Sequence, residues 1–445
     1  MRRFLNLMAT LLALVLFAAG CNSGTPSDAQ TNDLTEKPTE ITEVPTQDID
    51  KETEKSTIEC GSDDELKGTV LSADLGKYTV VVDGSADAEV ISLAESLTKT
   101  FNDQFGLSVA FARDEDTAVG EYEILIGNTD RPETEEFKTF LPKGSCGYAA
   151  VGKKIVILGK ADQYTETAII LFSNLMVIEK DISGENYMTE KDTHIVDATN
   201  MISVMSYNVW YGGAITNGDS VVEMIRNYMP DFLGVQEAQE DWMSAIGNGL
   251  SESGYESFGL ARDANGRGER SAIFYRADKF ELLESATFWL SDTPTEVSKV
   301  DNSICNRVVT VGVFLRISDG LIFTYANTHL DHSNSDVRTE QITFLDRYVR
   351  DFAEGEFIVT GDFNLTPASS EYSLLMDMGY QSCGTVAEYA RGRNDNTYTG
   401  GSLIDFCFRA CIDNFDPYFY AVCDELVNGE LPSDHHPVYV MLEFK

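Results

Sequence analysis

The stretch Phe357-Ile-Val-Thr-Gly-Asp-Phe-Asn364 reads as a short buried strand that runs directly into polar groups. Its first four residues are apolar or β-branched, which favours a strand. Asp362 and Asn364 follow within the next four residues. A hydrophobic strand has no packing reason to finish in a carboxylate and an amide, and strand ends are where α/β folds build their sites. The stretch therefore predicts an α/β fold with a functional site at one sheet edge.

The same pattern recurs across residues 201–445, where strand-like runs alternate with helical ones. The helix predicted over residues 334–352 has an apolar face that should pack on a sheet. Polar side chains adjoin the other predicted strands at Asn208, Glu237, His329, Asp405, Asp434 and His435. Each position alone has a structural interpretation, such as a turn residue or a helix start. Together they predict one site in a layered α/β sandwich.

The types of side chain indicate the chemistry. Carboxylate and amide oxygens without a nearby cysteine are hard ligands, which suit Mg²⁺, and also Mn²⁺, better than Zn²⁺. Together with imidazoles they provide the base, the cation site and the charge stabilisation that phosphoester hydrolysis requires. The chain contains neither a GxxxxGK[ST] loop nor a G-x-S-x-G turn. Nucleoside-triphosphate motors and serine esterases therefore lack support.

Seven motifs, in chain order, resemble the endonuclease/exonuclease/phosphatase superfamily, the deoxyribonuclease-I-like fold. They are Ser206-Tyr-Asn208-Val-Trp210, Val235-Gln-Glu237, Gly268-Glu269-Arg270, Asn327-Thr-His329-Leu330, Gly361-Asp362-Phe-Asn364, Ile404-Asp405-Phe406 and Ser433-Asp434-His435. The resemblance covers about 240 residues. It implies a four-layered α/β sandwich and a metal-dependent phosphoric ester hydrolase.

The resemblance also implies roles for the matched acids and amides. Glu237 would be the principal metal ligand, with Asn208 and Asp434 beside it. Asp362 would orient and deprotonate the attacking water. Asn364 would hold the nucleophile and bind a phosphate oxygen of the substrate.

Two imidazoles would act on the phosphate by the same resemblance. His435, steadied by Asp405, would bond the scissile phosphate. His329, with its ring fixed by Glu269, would stabilise or protonate the leaving group. A carboxylate beside an imidazole raises the pKa of the ring toward the charged form, so we expect this for both histidines. Arg307 matches a position that often touches phosphate.

Residues 63–199 are predicted to form a small α/β accessory domain ahead of a catalytic domain over 200–445. A buried strand over 122–127, a hairpin turning at Gly152-Lys153 and a helix over 161–177 indicate this mixed fold. The segment resembles the accessory domain that precedes the catalytic barrel in some secreted hexosaminidases and glucuronidases. Its role stays open between glycan or cell-wall docking and a packing or spacer module.

The N-terminus is typical of an export signal. Met1-Arg2-Arg3 is followed by an apolar run to Ala19 and then by Gly20-Cys21, which resembles a bacterial lipoprotein signal with Cys21 as the lipidated residue. Residues 22–62 are rich in Thr, Glu, Pro and Asp and should be a disordered acidic linker. We expect a monomer anchored to the bacterial membrane by lipid alone and facing outside; the alternative is ordinary secretion.

The charge balance bears on the substrate. The chain has 33 Lys and Arg against 73 Asp and Glu, and residues 201–445 have 16 against 37. Binding to nucleic acid by counterion release requires a basic surface. Small or lipid-derived phosphoesters therefore rank slightly ahead of an extracellular nuclease. Arginines near two predicted loops could still form a local cradle: Arg262, Arg267 and Arg270 near one, and Arg391 and Arg393 near the other. A non-catalytic glycan- or surface-binding lipoprotein is the alternative from another class.

The eight cysteines include no CxxC pair. Cys407 and Cys411 have no second His/Cys cluster at zinc-like spacing. We therefore expect structural or free thiols and no zinc site.

Overall fold

The computed structural model describes residues 66–410 and 414–445. The predicted signal peptide, the acidic linker, Cys21 and Cys411 lie outside the described residues.

The first part of the described chain forms a mixed α/β module. Its strands are β1 (Thr69–Leu71), β2 (Thr79–Val82), β3 (Ala110–Arg113), β4 (Glu123–Ile126), β5 (Ser145–Val151), β6 (Lys154–Gly159), β7 (Asn186–Thr189) and β8 (His194–Asp197). Its helices are α1 (Ala88–Phe105), α2 (Pro132–Phe140) and α3 (Thr165–Phe172), and α3 continues as a π-helical turn over Ser173–Ile178. Six strands pair in the order β3-β2-β4-β6-β5-β8, and β1 pairs with β7. The hairpin predicted at Gly152-Lys153 joins β5 to β6.

The second part contains two sheets, of seven and six strands. Its strands are β9 (Met201–Asn208), β10 (Phe232–Ala238), β11 (Tyr255–Phe258), β12 (Arg270–Arg276), β13 (Phe280–Trp289), β14 (Val308–Arg316), β15 (Ile322–His329), β16 (Phe357–Asp362), β17 (Tyr380–Ser382), β18 (Tyr389–Arg391), β19 (Asp405–Ala410), β20 (Phe415–Val422) and β21 (Val438–Phe444). Its helices are α4 (Ala214–Arg226), α5 (Glu240–Gly249), α6 (Ser335–Phe352), α7 (Ser370–Asp377) and α8 (Cys383–Val386). One sheet has the order β11-β12-β10-β9-β21-β20-β18 and the other β13-β14-β15-β16-β19-β17.

These two sheets and their helices form four layers. Apolar side chains from both sheets, including Phe232, Phe314 and Tyr325, share one core between them. Trp242 of α5 packs on the outer face of the seven-stranded sheet, and Leu345 of α6 packs on the outer face of the six-stranded sheet. The mixed α/β sandwich predicted from the sequence is confirmed.

A buried polar layer joins the two sheets near their centre. Gln236 Nε2 donates to Asn327 Oδ1 at 2.7 Å, and Thr360 Oγ1 lies 3.2 Å from the same oxygen. Gly234 faces this layer, because a Cβ atom there would lie 2.5 Å from Thr360 Oγ1 and 2.6 Å from Asn327. The close approach of the sheets beside this layer therefore requires glycine at position 234.

The N-terminal module packs against the seven-stranded sheet. One apolar core contains Phe101 of α1 and Phe172 of α3 together with Tyr207 and Tyr439 of the sheet. Polar contacts reinforce it: Lys279 Nζ lies 3.2 Å from both Glu166 and Asp231. Because apolar and ionic contacts both join them, the module and the sheet share an interior.

Five of the eight cysteines are described, at 146, 305, 383, 407 and 423, and all five are free thiols. Within the described ranges, no helix combines the length and the hydropathy that a bilayer crossing would need.

Candidate active site

Strand register brings the predicted site residues together. Asn208 ends β9 and Glu237 lies near the end of the parallel neighbour β10, where Gln236 pairs with Asn208. In the other sheet, His329 and Asp362 are paired at the ends of the parallel strands β15 and β16. Asp405, the first residue of the antiparallel neighbour β19, pairs with Asp362. The carboxyl ends of four strands therefore meet at one edge of the sandwich.

Asn208 bridges the two sheets at this edge. Its Nδ2 donates to Glu237 Oε1 at 3.1 Å and to Asp362 Oδ2 at 3.0 Å. Its Oδ1 accepts from the backbone N–H of Trp210 at 3.1 Å. Its predicted position beside a metal stays a prediction, and in this structure Asn208 presents its NH₂ group to the carboxylates. The physical reason is that two neighbouring carboxylates attract the donor end of the amide.

The backbone of the site is unusual. Trp210, Glu237 and Asn364 have φ values of 60°, 61° and 51°, in the left-handed region. Non-glycine residues in that region are strained and cluster at functional sites. Hydrogen bonds hold two of the turns, from Tyr211 N to Glu237 Oε2 at 2.8 Å and from Asn364 N to Asp362 Oδ1 at 2.9 Å.

His435 and Asp405 form a buried pair beside Asp362. His435 Nδ1 lies 2.8 Å from Asp405 Oδ2, and His435 Nε2 lies 3.9 Å from Asp362 Oδ2. Burial alone would lower the pKa of His435, but the charge and hydrogen bond of Asp405 outweigh it and raise the pKa to about 10. Burial raises the pKa of Asp362, and the charge of Asp405 raises it further. Asp362 thus has the character of a proton acceptor next to a charged imidazole.

His329 differs from the sequence-based expectation. Its Nε2 lies 3.4 Å from Asp362 Oδ2, but its buried Nδ1 has no hydrogen-bond partner within the structure. The predicted contact with Glu269 was wrong, because both Glu269 oxygens accept from the guanidinium of Arg262. The charged guanidinium competes more strongly for the carboxylate than an imidazole does.

The expected charge on His329 was also wrong. Burial lowers the pKa of His329 well below its usual value, and the nearby guanidinium groups of Arg307 and Arg262 lower it further. The two site imidazoles therefore differ in charge: His435 is cationic and His329 is neutral near pH 7.

Arg307 lies on the same side of the site. It lines a small cavity together with Glu237, Glu269 and His329. Only 4% of the residue is exposed, and its Nε and Nη1 have no partner within the structure. Its Nη2 lies 3.4 Å from His332 Nδ1. Buried guanidinium donors without acceptors are suited to an anion.

Oxygen ligands for a divalent cation are present at this edge. Glu237 and Asp434 are both half-buried, and burial and the charge of Glu237 raise the pKa of Asp434. A cation between them would relieve that repulsion, so this donor set fits a hard divalent metal. A second, fully buried group consists of Asp362, Asp405 and His435, whose ligand atoms lie within 4.8 Å of one another. In that group His435 Nδ1 bonds Asp405 Oδ2, whereas both oxygens of Glu237 accept hydrogen bonds, from Asn208 Nδ2 and Tyr211 N.

Two hydroxyl residues that hold the backbone of the site, Thr397 and Ser433, were given no role from the sequence. Thr397 Oγ1 accepts from the backbone N–H groups of Ile404 and Asp405, both at 3.0 Å. Ser433 Oγ donates to the carbonyl of Asn208 at 2.8 Å and accepts from His435 N at 3.2 Å. The sequence signal for the loop that contains Thr397 is its turn-forming residues, Asn394-Asp-Asn396 before it and Gly400-Gly401 after it.

Three arginines of the predicted cradle pair with carboxylates. Arg262 pairs with Glu269, and Arg270 Nη2 donates to Glu240 at 2.7 Å. Arg391 pairs with Asp424 and Glu425 at the border of the N-terminal module. These three side chains therefore neutralise carboxylates of their own chain.

The model of the endonuclease/exonuclease/phosphatase family matches residues 205–435. No protein of curated function matches the chain significantly in sequence.

Several solved structures share this fold. A family protein from Bacteroides thetaiotaomicron is 27% identical with a TM-score of 0.51, and covers 55% of this chain and 98% of its own. One from Bacteroides vulgatus is 27% identical with a TM-score of 0.51, at 55% and 99% coverage. A mannosyl-6-phosphatase from Bacteroides thetaiotaomicron is 28% identical with a TM-score of 0.50, at 55% and 100% coverage.

Proposed function

Because the chain belongs to the endonuclease/exonuclease/phosphatase family, whose members are phosphoester hydrolases that typically use divalent metals, we propose that it is a Mg²⁺-dependent phosphoesterase. Its substrate would be a small phosphoester, with phosphorylated sugars first. One observation carries the proposal: Asn208, Glu237, His329 and Asp362 meet at one edge of the sandwich. Asn208 contacts Glu237 at 3.1 Å and Asp362 at 3.0 Å, and Asp362 lies 3.4 Å from His329.

The geometry supports a division of labour. A bound Mg²⁺ at Glu237 and Asp434 would supply charge neutralisation to the phosphate. Asp362, with its raised pKa, would accept a proton from the attacking water. The cationic His435 would stabilise the negative charge that develops on phosphate oxygens, and the unpartnered Arg307 donors would bind another phosphate oxygen.

The choice of a small ester rests on two observations. Residues 201–445 are strongly acidic, and two arginines near the site, Arg262 and Arg270, pair with the chain's own carboxylates. The structural likeness to a mannosyl-6-phosphatase supports a sugar phosphate as the first substrate to test.

The test is a substrate panel with a metal control. Purified protein would be assayed with p-nitrophenyl phosphate, bis-p-nitrophenyl phosphate, mannose 6-phosphate, inositol phosphates, sphingomyelin, DNA and RNA. We expect hydrolysis of small monoesters with Mg²⁺ and its loss with chelator. Faster cleavage of DNA or RNA would instead establish the nuclease alternative. Folded protein inactive on every substrate would favour the non-catalytic binding lipoprotein.

We also propose that Cys21 carries lipid and holds the enzyme on the outer face of the bacterial membrane. The support is the sequence of residues 1–21. Cys21→Ser should release the protein into the medium, whereas an unchanged membrane fraction would contradict lipidation.

A further inference from the structure

The turn formed by residues 397–402 connects three of the site residues. Thr399 N donates to the carbonyl of Asp434 at 2.9 Å, and His436 N donates to the carbonyl of Thr397 at 2.7 Å. The hydroxyl of Thr397 also receives the backbone N–H of Asp405. One turn thus fixes the backbone on both sides of the Asp405–His435 pair.

These hydrogen bonds place Tyr398 opposite His435 in an antiparallel bridge. The hydrogen bonds from Thr399 N and His436 N lie on either side of the Tyr398–His435 pair, and no backbone hydrogen bond joins Tyr398 to His435. In antiparallel strands, this is the arrangement that brings opposite side chains closest together. The ring centroids of Tyr398 and His435 accordingly lie 4.9 Å apart, with an angle of 40° between the planes. Tyr398 itself is half-buried.

A glycine makes room for this ring. A Cβ atom at Gly400 would lie 2.2 Å from Cε1 and 2.7 Å from Cδ1 of Tyr398. Contacts that short do not occur, so any larger residue at position 400 must displace the tyrosine ring. The turn itself closes through Gly401 N, which donates to the carbonyl of Tyr398 at 2.9 Å.

We propose that Tyr398 is a positioning residue for His435, an inference that rests on the proposed function. The imidazole is held at one nitrogen by Asp405 and on one side by the tilted ring of Tyr398. Together these contacts prevent the imidazole from turning away, so Nε2 stays directed at Asp362. The aromatic ring, and not its hydroxyl, supplies this constraint.

Kinetics of four variants test the proposal. Tyr398→Leu should lower kcat about 10-fold or more with little change in KM, because a displacement near 1 Å can cost up to about 100-fold. Tyr398→Phe should keep a rate close to that of the wild type. Gly400→Ala should lower kcat in the same way, because its Cβ atom displaces the Tyr398 ring. The double variant Gly400→Ala with Tyr398→Leu should have the kcat of Tyr398→Leu alone, because no aromatic ring remains for the Cβ atom to displace. Tyr122→Leu, in the N-terminal module, is the matched control.

Three kinetic outcomes would overturn the proposal. A wild-type kcat in Tyr398→Leu would show that the ring is dispensable. An equal loss in Tyr398→Phe, or a raised KM with unchanged kcat, would identify a substrate contact and not a positioning role.

A readout that needs no turnover separates this inference from the proposed function. The chain has five histidines, so ¹⁵N-histidine labelling gives a tractable NMR spectrum. We expect a downfield Nδ1–H resonance for His435 in the wild type and in Tyr398→Phe, weakened in Tyr398→Leu and Gly400→Ala. Identical resonances in all four proteins would contradict the inference, even if no phosphoester were hydrolysed.

Discussion

Replacing His194 should remove an acid-sensitive contact between the N-terminal module and the seven-stranded sheet. His194 lies in β8, stacks on Tyr148 at a centroid distance of 5.3 Å, and places Nε2 2.7 Å from the hydroxyl of Tyr418 in β20. Burial lowers the pKa of His194 from 6.5 to about 4. The folded protein therefore prefers the neutral ring.

The direction of the pH effect follows from linkage. Between pH 6.5 and 4 the unfolded chain binds a proton at His194 that the folded chain does not. The stability that the neutral His194 ring contributes to the folded protein is complete above pH 6.5 and is lost as the pH falls toward 4. At about 1.36 kcal/mol for each pKa unit, the limiting loss is about 3.4 kcal/mol, and at pH 5 it is about 2 kcal/mol.

Urea unfolding of the wild type and His194→Gln at pH 7.5 and pH 5.0 measures this effect. Tryptophan fluorescence can report it, because Trp242 lies in α5, Trp289 lies in β13 and Trp210 follows β9. The wild type should lose about 2 kcal/mol more than His194→Gln on acidification, since the other titrating groups are common to both. An equal loss in the two proteins would refute the assignment of a neutral, half-buried His194.

Three further predictions concern the sheets and the site. Asp405→Asn should lower kcat by about 10²- to 10⁴-fold in steady-state assays, because it removes the anion that keeps His435 charged and oriented; a loss below about 3-fold would contradict the pair. Gly234→Ala should destabilise the fold by about 1–3 kcal/mol in urea melts, because its Cβ would lie 2.5 Å from Thr360 Oγ1, and an unchanged midpoint would refute the close sheet approach. Glu269→Gln should leave the ¹⁵N NMR shifts of His329 nearly unchanged, because Glu269 bonds Arg262 and not His329, whereas a large shift would restore the direct contact.

Much of the catalytic fold could be predicted from local patterns. The strand over residues 357–360 and the helix over 334–352 are present as β16 and α6, since their apolar periodicity and Asn334 N-cap agree with their tertiary setting. β13 and β20 were not predicted as strands. β13 has an exposed, charge-rich face, and β20 contains a proline, so neither shows a clean apolar run.

The contacts within the site were harder to predict. Strand ends predicted that Asn208, Glu237 and Asp362 would meet, because parallel strands end at the same edge. The partner of Glu269 depends on how a loop folds back to bring Arg262 near, and the charge of His329 depends on arginines distant in sequence. Tyr398 lies in a polar loop whose only local signal is the Gly400-Gly401 pair. Long-range loop packing decides all three, and local sequence does not encode it.

The most direct measurement is the Mg²⁺-dependent turnover of p-nitrophenyl phosphate by Asp362→Asn, compared with the wild type and with Asp219→Asn, an exposed aspartate of α4. If Asp362 accepts the proton from water, Asp362→Asn should lose at least about 100-fold in kcat while Asp219→Asn keeps the wild-type rate. A wild-type rate in correctly folded Asp362→Asn would contradict the assignment of this edge of the sandwich as the active site.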